Sequence, residues 1–496
     1  MHNLLFKKNR PVFLILFGVL FLFLPKISSA ADWYVDKEAS GLDNGTSWAD
    51  AWKAFSDISW STIEPGDTIY ISGGDISKTY NERLKIQASG SSDYDRVTIM
   101  TGQDAGHNGT VIITPPEWDG INISDQSYVT VSGQVGTEQK MRVTGGLSSG
   151  IGIEGASSHI QLLYLELDNN GAGDPNSGIE IWINIASIGI EIGYSYIHDN
   201  YQDGIHWGES VRGSGYGNNF VHHNIITNTH DDGIEIGASS VDFYNNVMGN
   251  NIAPERGHPD GIQAYGWYYR IYNNYFHGFK DQAGNAVIYI EPDDGDPGFS
   301  PFGHVQIFNN LFYEDGNGIW ANGAICIAIS GDTFQTVSDI KILNNTIVGH
   351  SLALLLAFTG VNLGGSGVSD YYVENNIIYN GDILYDIGDM PVDFISYGNY
   401  GDSASVIIDY NDFYNTGYNG GANLHGITSD PELDLNQRPQ AGSPIINTGY
   451  GWASLFTTDK DGVVRPQGLA WDIGAYEYVG AADVVPPSAP TGVMVQ

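Results

Sequence analysis

Five segments share one pattern: VDFYNNVM (241–248), RIYNNYF (270–276), VQIFNNLF (305–312), KILNNTI (341–347) and YVENNII (372–378). In each, a short apolar alternation runs into Asn-Asn and then into a second apolar stretch. The second asparagines fall at Asn246, Asn274, Asn310, Asn345 and Asn376, with gaps of 28, 36, 35 and 31 residues. A strand-and-turn unit of that length cannot bury its apolar face alone, so the copies must stack, one gap per turn of a coil. Neither the Leu-x-x-Leu-x-Leu spacing of leucine-rich repeats nor the four hairpin strands of a propeller blade is present. The fold class is therefore all-β, a parallel β-helix in which equivalent positions lie about 4.8 Å apart. Asparagine suits its corners, because it tolerates the left-handed backbone conformation and its amide can bond to the copy on the next rung.

A second register agrees. Gly-Ile pairs begin at Gly150, Gly178, Gly204, Gly233 and Gly261, with gaps of 28, 26, 29 and 28. Aligning them puts Asp203, Asp232 and Asp260 just before the glycine, and Glu180, His206, Glu235 and Gln263 just after the isoleucine. With the isoleucines in the core, period-two alternation turns the latter four outward. Two polar columns are thus expected on one wall. Carboxylates one rung apart lie about 5 Å from each other, close enough to raise a pKa or recruit a cation. Asp203, Asp231, Asp232 and Asp260 are the candidate catalytic acids, and Asp203, Asp232 and Asp260 the candidate ligands for Ca²⁺. His258 and Arg256 accompany them, and eight of the 13 histidines lie between His198 and His304. Arg256, Arg270 and Lys280 stand out in a stretch poor in cations. Trp182, Trp207, Tyr265 and Trp267 are candidates to stack on sugar faces. No His-x-x-x-His spacing suggests zinc.

The 496 residues carry 58 acidic and 20 basic side chains, a formal charge of −38. That charge argues against nucleic acid as a partner. Residues 1–30 follow the basic, apolar, small-residue order of a secretory signal peptide, with Lys7, Lys8 and Arg10, an apolar run from Val12 to Leu24, and Ser28-Ser29-Ala30. Cleavage there would leave a secreted or cell-surface protein of charge −42 with no later membrane span. The single Cys326 lies in an apolar run and reads as a buried thiol. One domain is expected over 31–480, closed at its N-terminal end by an amphipathic helix (47–58) with Trp48, Trp52, Phe55 and Ile58 on one face. Residues 481–496 read as a proline-rich linker, and a monomer is expected.

WYVDKEASGLDNGTSWADAWKAF (33–55), IEPGDTIYISGG (63–74), the Asn-Asn rungs and the closing DGVVRPQGLAWDIGAYEY (461–478) resemble secreted right-handed parallel β-helix proteins of the pectate-lyase-like superfamily. PPSAPTGV is similar to the opening of a fibronectin type III module. The resemblance implies carbohydrate chemistry without specifying it, since the superfamily holds lyases, hydrolases, epimerases and adhesive proteins. YQDGIHW (201–207), HDDGIEIGAS (230–239) and RGHPDG (256–261) resemble three blocks of the polygalacturonase-type inverting hydrolases. By that likeness Asp203, Asp231 and Asp232 are acid and base, with His258 supporting. The next block of that family, Arg-Ile-Lys, is replaced here by AVIYIE (286–291).

Three functions remain open on the sequence, all with an extracellular polysaccharide as partner. Carboxylate-based glycoside hydrolysis comes first, because acids outnumber bases in these rungs. The second is Ca²⁺-dependent β-elimination on a uronate glycan, with Arg256, Arg270 or Lys280 as base. The third is glycan binding without catalysis.

Overall fold

The computed structural model describes residues 30–480 apart from 117, 172–177, 185, 209–217, 239, 251–259, 280–285, 292–301, 315–322, 331–336, 351, 360–367, 381, 387–405 and 417–422. The expected signal segment, all but its last residue, and the expected linker therefore lie outside the described residues. Three long sheets carry almost all the secondary structure: a first of 13 strands, a second of 12 and a third of 11. The chain visits them in the order first, second, third on each turn, and every pairing within them is parallel. This is a parallel β-helix, and crossovers between parallel neighbours are right-handed in nearly all proteins. Among the described residues no helix is long and apolar enough to cross a membrane.

Each strand sends alternate side chains inward, so one continuous core runs the length of the coil. It is built from stacked β-branched residues such as Ile181, Ile205, Ile234, Ile262 and Ile288, all inaccessible to solvent. The corner between the first and second sheets explains the Asn-Asn pairs, and the two asparagines divide the work. The first adopts the left-handed conformation, as at Asn245 (φ 56°), Asn273 (58°), Asn309 (55°), Asn344 (51°) and Asn375 (58°). The second points inward and forms a ladder. Asn274 Oδ1 accepts both the backbone N–H (2.9 Å) and Nδ2 (3.0 Å) of Asn246, while Asn274 Nδ2 donates to the Phe243 carbonyl at 2.9 Å. The same bonds repeat from Asn224 through Asn246, Asn274, Asn310, Asn345 and Asn376 to Asn411, two rungs longer than the segments quoted above.

The N-terminal closure differs from the expected helix. Residues 47–54 form no helix, and the helical content there is two short 3₁₀ turns, Phe55–Asp57 and Trp60–Thr62. The first strand leaves unpaired backbone groups that a helix could cover but not bond. The chain satisfies them by extending: Trp52 N–H donates to the Tyr34 carbonyl (3.0 Å), and Asp36 N–H donates to that of Trp52 (2.8 Å). Trp52, Phe55 and Ile58 are buried as expected, whereas Trp48 stacks on His107 outside.

At the other end, residues 423–479 run back along the outside of the second sheet. Ile445 and Ile473 pack on Ile377, and Ala475 and Tyr476 pack on Leu311. The left-handed asparagines hold this strap: Asn309 Nδ2 donates to the Thr458 carbonyl, Asn344 to that of Asp472 and Asn375 to that of Tyr450. Replacing Asn274 with Ala orphans an N–H, an amide and a carbonyl in the core. A loss on the order of 3 kcal/mol or more is expected, read as a lowered urea midpoint and melting temperature.

Candidate functional site

The outer face of the third sheet carries the expected wall, with one change of register. Ile181, not Ile179, pairs with Ile205, so the outward column reads Trp182, His206, Glu235, Gln263, Tyr289 and Cys326. Glu180 belongs to a different column, occupied on other rungs by Gly120, Gly150, Gly204, Gly233 and Gly261. Those glycines are required by crowding: a Cβ at Gly204 or Gly233 would stand 2.6 or 2.7 Å from the next rung's carbonyl oxygen. Glu180 is therefore not outward but fully buried, bonded to the side-chain and backbone N–H of Asn170. Burial, partly offset by those bonds, pushes its carboxyl up to about 8.

The aspartates do form a line, and its chemistry is that of the asparagine ladder. Asp203 Oδ1 accepts the Asp232 N–H at 3.1 Å, Asp232 Oδ1 the Asp260 N–H at 2.8 Å, and Asp260 Oδ1 the Ala286 N–H at 2.5 Å. All three are at most 3% exposed. Burial, reinforced for Asp232 by its carboxylate neighbours, holds Asp232 and Asp260 well above the usual carboxylate range, and burial raises Asp203 as well.

Beside this line the carboxylates converge. One oxygen each of Asp203, Asp231 and Asp232 lies within 4.8 Å of the others, and so do one oxygen each of Asp203 and Glu235 and a ring nitrogen of His206. His206 Nδ1 sits 3.1 Å from Asp203 Oδ2 and 2.9 Å from Glu235 Oε2. Burial alone would lower the imidazole, but the two carboxylates overcome it and raise it to about 10. Tyr265 Oη donates to Glu235 Oε1 at 3.5 Å and also meets the amide of Gln263, which is itself buried.

Several expected site residues lie elsewhere. Trp207 is fully buried, in register with Ile183 and Ile236, because the alternation that turns His206 out turns its neighbour in. Trp267 is 8% exposed and packs in the core. Arg270 stands on the first sheet, 3.0 Å from Asp242 and over the rings of Tyr272 and Phe308, so it does not serve this wall. Arg256, His258 and Lys280 lie outside the described residues. The structure adds Tyr289, whose hydroxyl donates to Glu291 at 3.0 Å. Period two in AVIYIE, with Ile288 and Ile290 inward, was the available signal for it.

No protein-family model matches the sequence, and no curated protein does either. Among solved structures the chain is similar to pectate lyase Pel9A, at 17% identity and a TM-score of 0.48, over 91% of this chain and 97% of that one. It is also similar to an alginate lyase from Paenibacillus sp. str. FPU-7 (17%, TM-score 0.42, 58% and 92%). A third is the GH136 lacto-N-biosidase from Eubacterium ramulus (12%, TM-score 0.45, 77% and 67%).

The buried Glu180 has a thermodynamic signature. Its folded value of about 8 exceeds the ordinary 4.5, so between those limits the native chain holds a proton that the unfolded chain has released. Its contribution to stability is complete below about pH 4.5 and is lost as pH rises through 8. Glu180→Gln should flatten the decline in melting temperature between pH 5 and 8, and a slope unchanged from the parent would refute this.

Proposed function

We propose that the protein is a cation-dependent polysaccharide lyase acting on a uronate-bearing glycan. The convergence of Asp203, Asp231 and Asp232 within 4.8 Å, flanked by Glu235, carries this reading. Hydrolysis, placed first on the sequence, loses support on two counts. An acid and a base acting on one glycosidic bond must both reach the substrate, with roughly 6.5–9.5 Å between them in an inverting enzyme and about 5 Å in a retaining one. Here Asp203, Asp232 and Asp260 are buried, and each has an oxygen committed to a backbone N–H of the next rung.

The same geometry suits a hard cation. Carboxylate oxygens are the donors Ca²⁺ prefers, and Asp231 and Glu235, half-buried, form the open side of a set completed by Asp203 and Asp232. A bound Ca²⁺ would neutralise the uronate carboxylate and so acidify the proton on the adjacent carbon. Glu235 and Asp203 hold the His206 ring in place, and Tyr265 braces Glu235 from the next rung.

Of the three cations expected as base, Arg270 is on another sheet, and Arg256 bears a guanidinium that does not give up its proton in proteins. Lys280 is therefore assigned the role. Its neutral amine takes the C5 proton, the electron pair closes a C4–C5 double bond, and the glycosidic oxygen leaves with a proton from water. Export through residues 1–30 would place the protein with such substrates.

Uronate polysaccharides incubated with the protein and Ca²⁺ should gain ultraviolet absorbance, and chelator should abolish the gain. Lys280→Ala should lower kcat by at least ~100-fold with an unchanged melting temperature. New reducing ends without absorbance would restore hydrolysis, and binding without either product would restore the non-catalytic reading.

A further inference from the structure

The outward column of the third sheet does not begin at Trp182. Followed toward the N-terminal end it continues through Gly152 and Asn122 to Lys85. Lys85 is exposed on the strand Leu84–Ile86, between two inward apolar residues. Arg83, just before that strand, reaches the same face by a specific route. Its Nη2 lies 2.6 Å from Asp119 Oδ2, and Asp119 is fixed by the Ser149 hydroxyl (2.8 Å) and the Asn122 amide (3.4 Å). The Asp119 carboxylate leans over Gly152: a Cβ there would stand 2.6 Å from Oδ2. Glycine at 152 thus admits a carboxylate that draws the Arg83 guanidinium up the wall toward Trp182, the next residue of the column. Beyond its bond to Asp119, the Arg83 side chain keeps 31% of its surface exposed.

The structure assigns to these residues a subsite for the carboxylate of an anionic glycan, with Arg83 and Lys85 as the charged contacts and the half-exposed Trp182 ring as the sugar platform. It rests on the uronate substrate proposed above and extends it in space. From Lys85 to His206 is four rungs, about 19 Å, so the bound polymer runs along the coil axis with one end over the basic pair and the other over the acids. A chain of −38 would repel such a polymer at long range. Two adjacent cations on the binding wall, the exposed Lys85 and the partly exposed Arg83, give it a point of attachment and set its direction.

The test is affinity electrophoresis of the full chain through gels holding polygalacturonate or a neutral galactan, in chelator so that no bond is cut. Lys85→Glu should weaken retardation by polygalacturonate at least ~5-fold at low salt, an effect that fades in 0.5 M NaCl and is absent with galactan. Arg83→Gln should act in the same direction. Lys85 is exposed, so its variant should melt as the parent does. Parent-like retardation of Lys85→Glu in polygalacturonate, or an equal loss in galactan, overturns the subsite. Lys85-dependent retardation in chelator, by a protein that yields no ultraviolet-absorbing product when Ca²⁺ is supplied in a parallel assay, overturns the reaction instead and leaves the subsite standing.

Discussion

Between Asn224 and Asn411 each turn of this coil places a backbone N–H inside a corner closed to water, and the rungs stay together because a side chain from the next rung accepts it. Between the first and second sheets that side chain is asparagine, from Asn224 to Asn411. Each amide satisfies a backbone N–H and a carbonyl on the rung before it and donates to the amide of the rung after, so adjacent rungs are locked in register as well as in contact. With the register locked, the apolar alternation on each strand becomes a continuous core. The outward positions become columns.

The corner leading into the third sheet uses the same device with a carboxylate in place of the amide. Asp203, Asp232 and Asp260 each spend one oxygen on the next rung's N–H, the reverse polarity of the asparagines, whose oxygens accept from the rung before. A carboxylate has no amide nitrogen, so its second oxygen is left over as an acceptor. In the rungs of Asp203 and Asp232 those spare oxygens meet Asp231, Glu235 and His206. The candidate site is therefore an elaboration of a structural corner.

The repeats made the coil, its parallel sheets and the aspartate line legible from sequence, because each depends on a period and a residue type. Errors entered where a local pattern had two readings. Gly178-Ile179 looks like the other Gly-Ile pairs, yet the rung is shifted by two and Glu180 stands where its neighbours keep glycine. Trp207 was read as a sugar platform although Ile205 fixes its parity as inward. The spacing of Trp52, Phe55 and Ile58 satisfies a helix, but the sheet edge needed backbone partners that only an extended chain supplies. The strap over the second sheet had no local signal at all, since it depends on left-handed asparagines more than 70 residues away in sequence.

The two ladders also differ in how far they extend, and the difference has an electrostatic cause. Amides carry no net charge, so seven can stack without penalty. Carboxylates stacked at rung spacing in a buried line repel one another and lose hydration. Here the aspartate line ends after three rungs, with Ala286 in the next position and Ser149 and Ile179 before it. A run this short, held above the ordinary carboxylate range by burial and mutual repulsion, can be relieved by protons or by one divalent cation. The paired bases at Arg83 and Lys85 begin four rungs before Asp203 on the same sheet. Separated in this way, they leave His206 as the one cation paired with the acids among the described residues and keep the exposed Lys85 available to an anionic ligand.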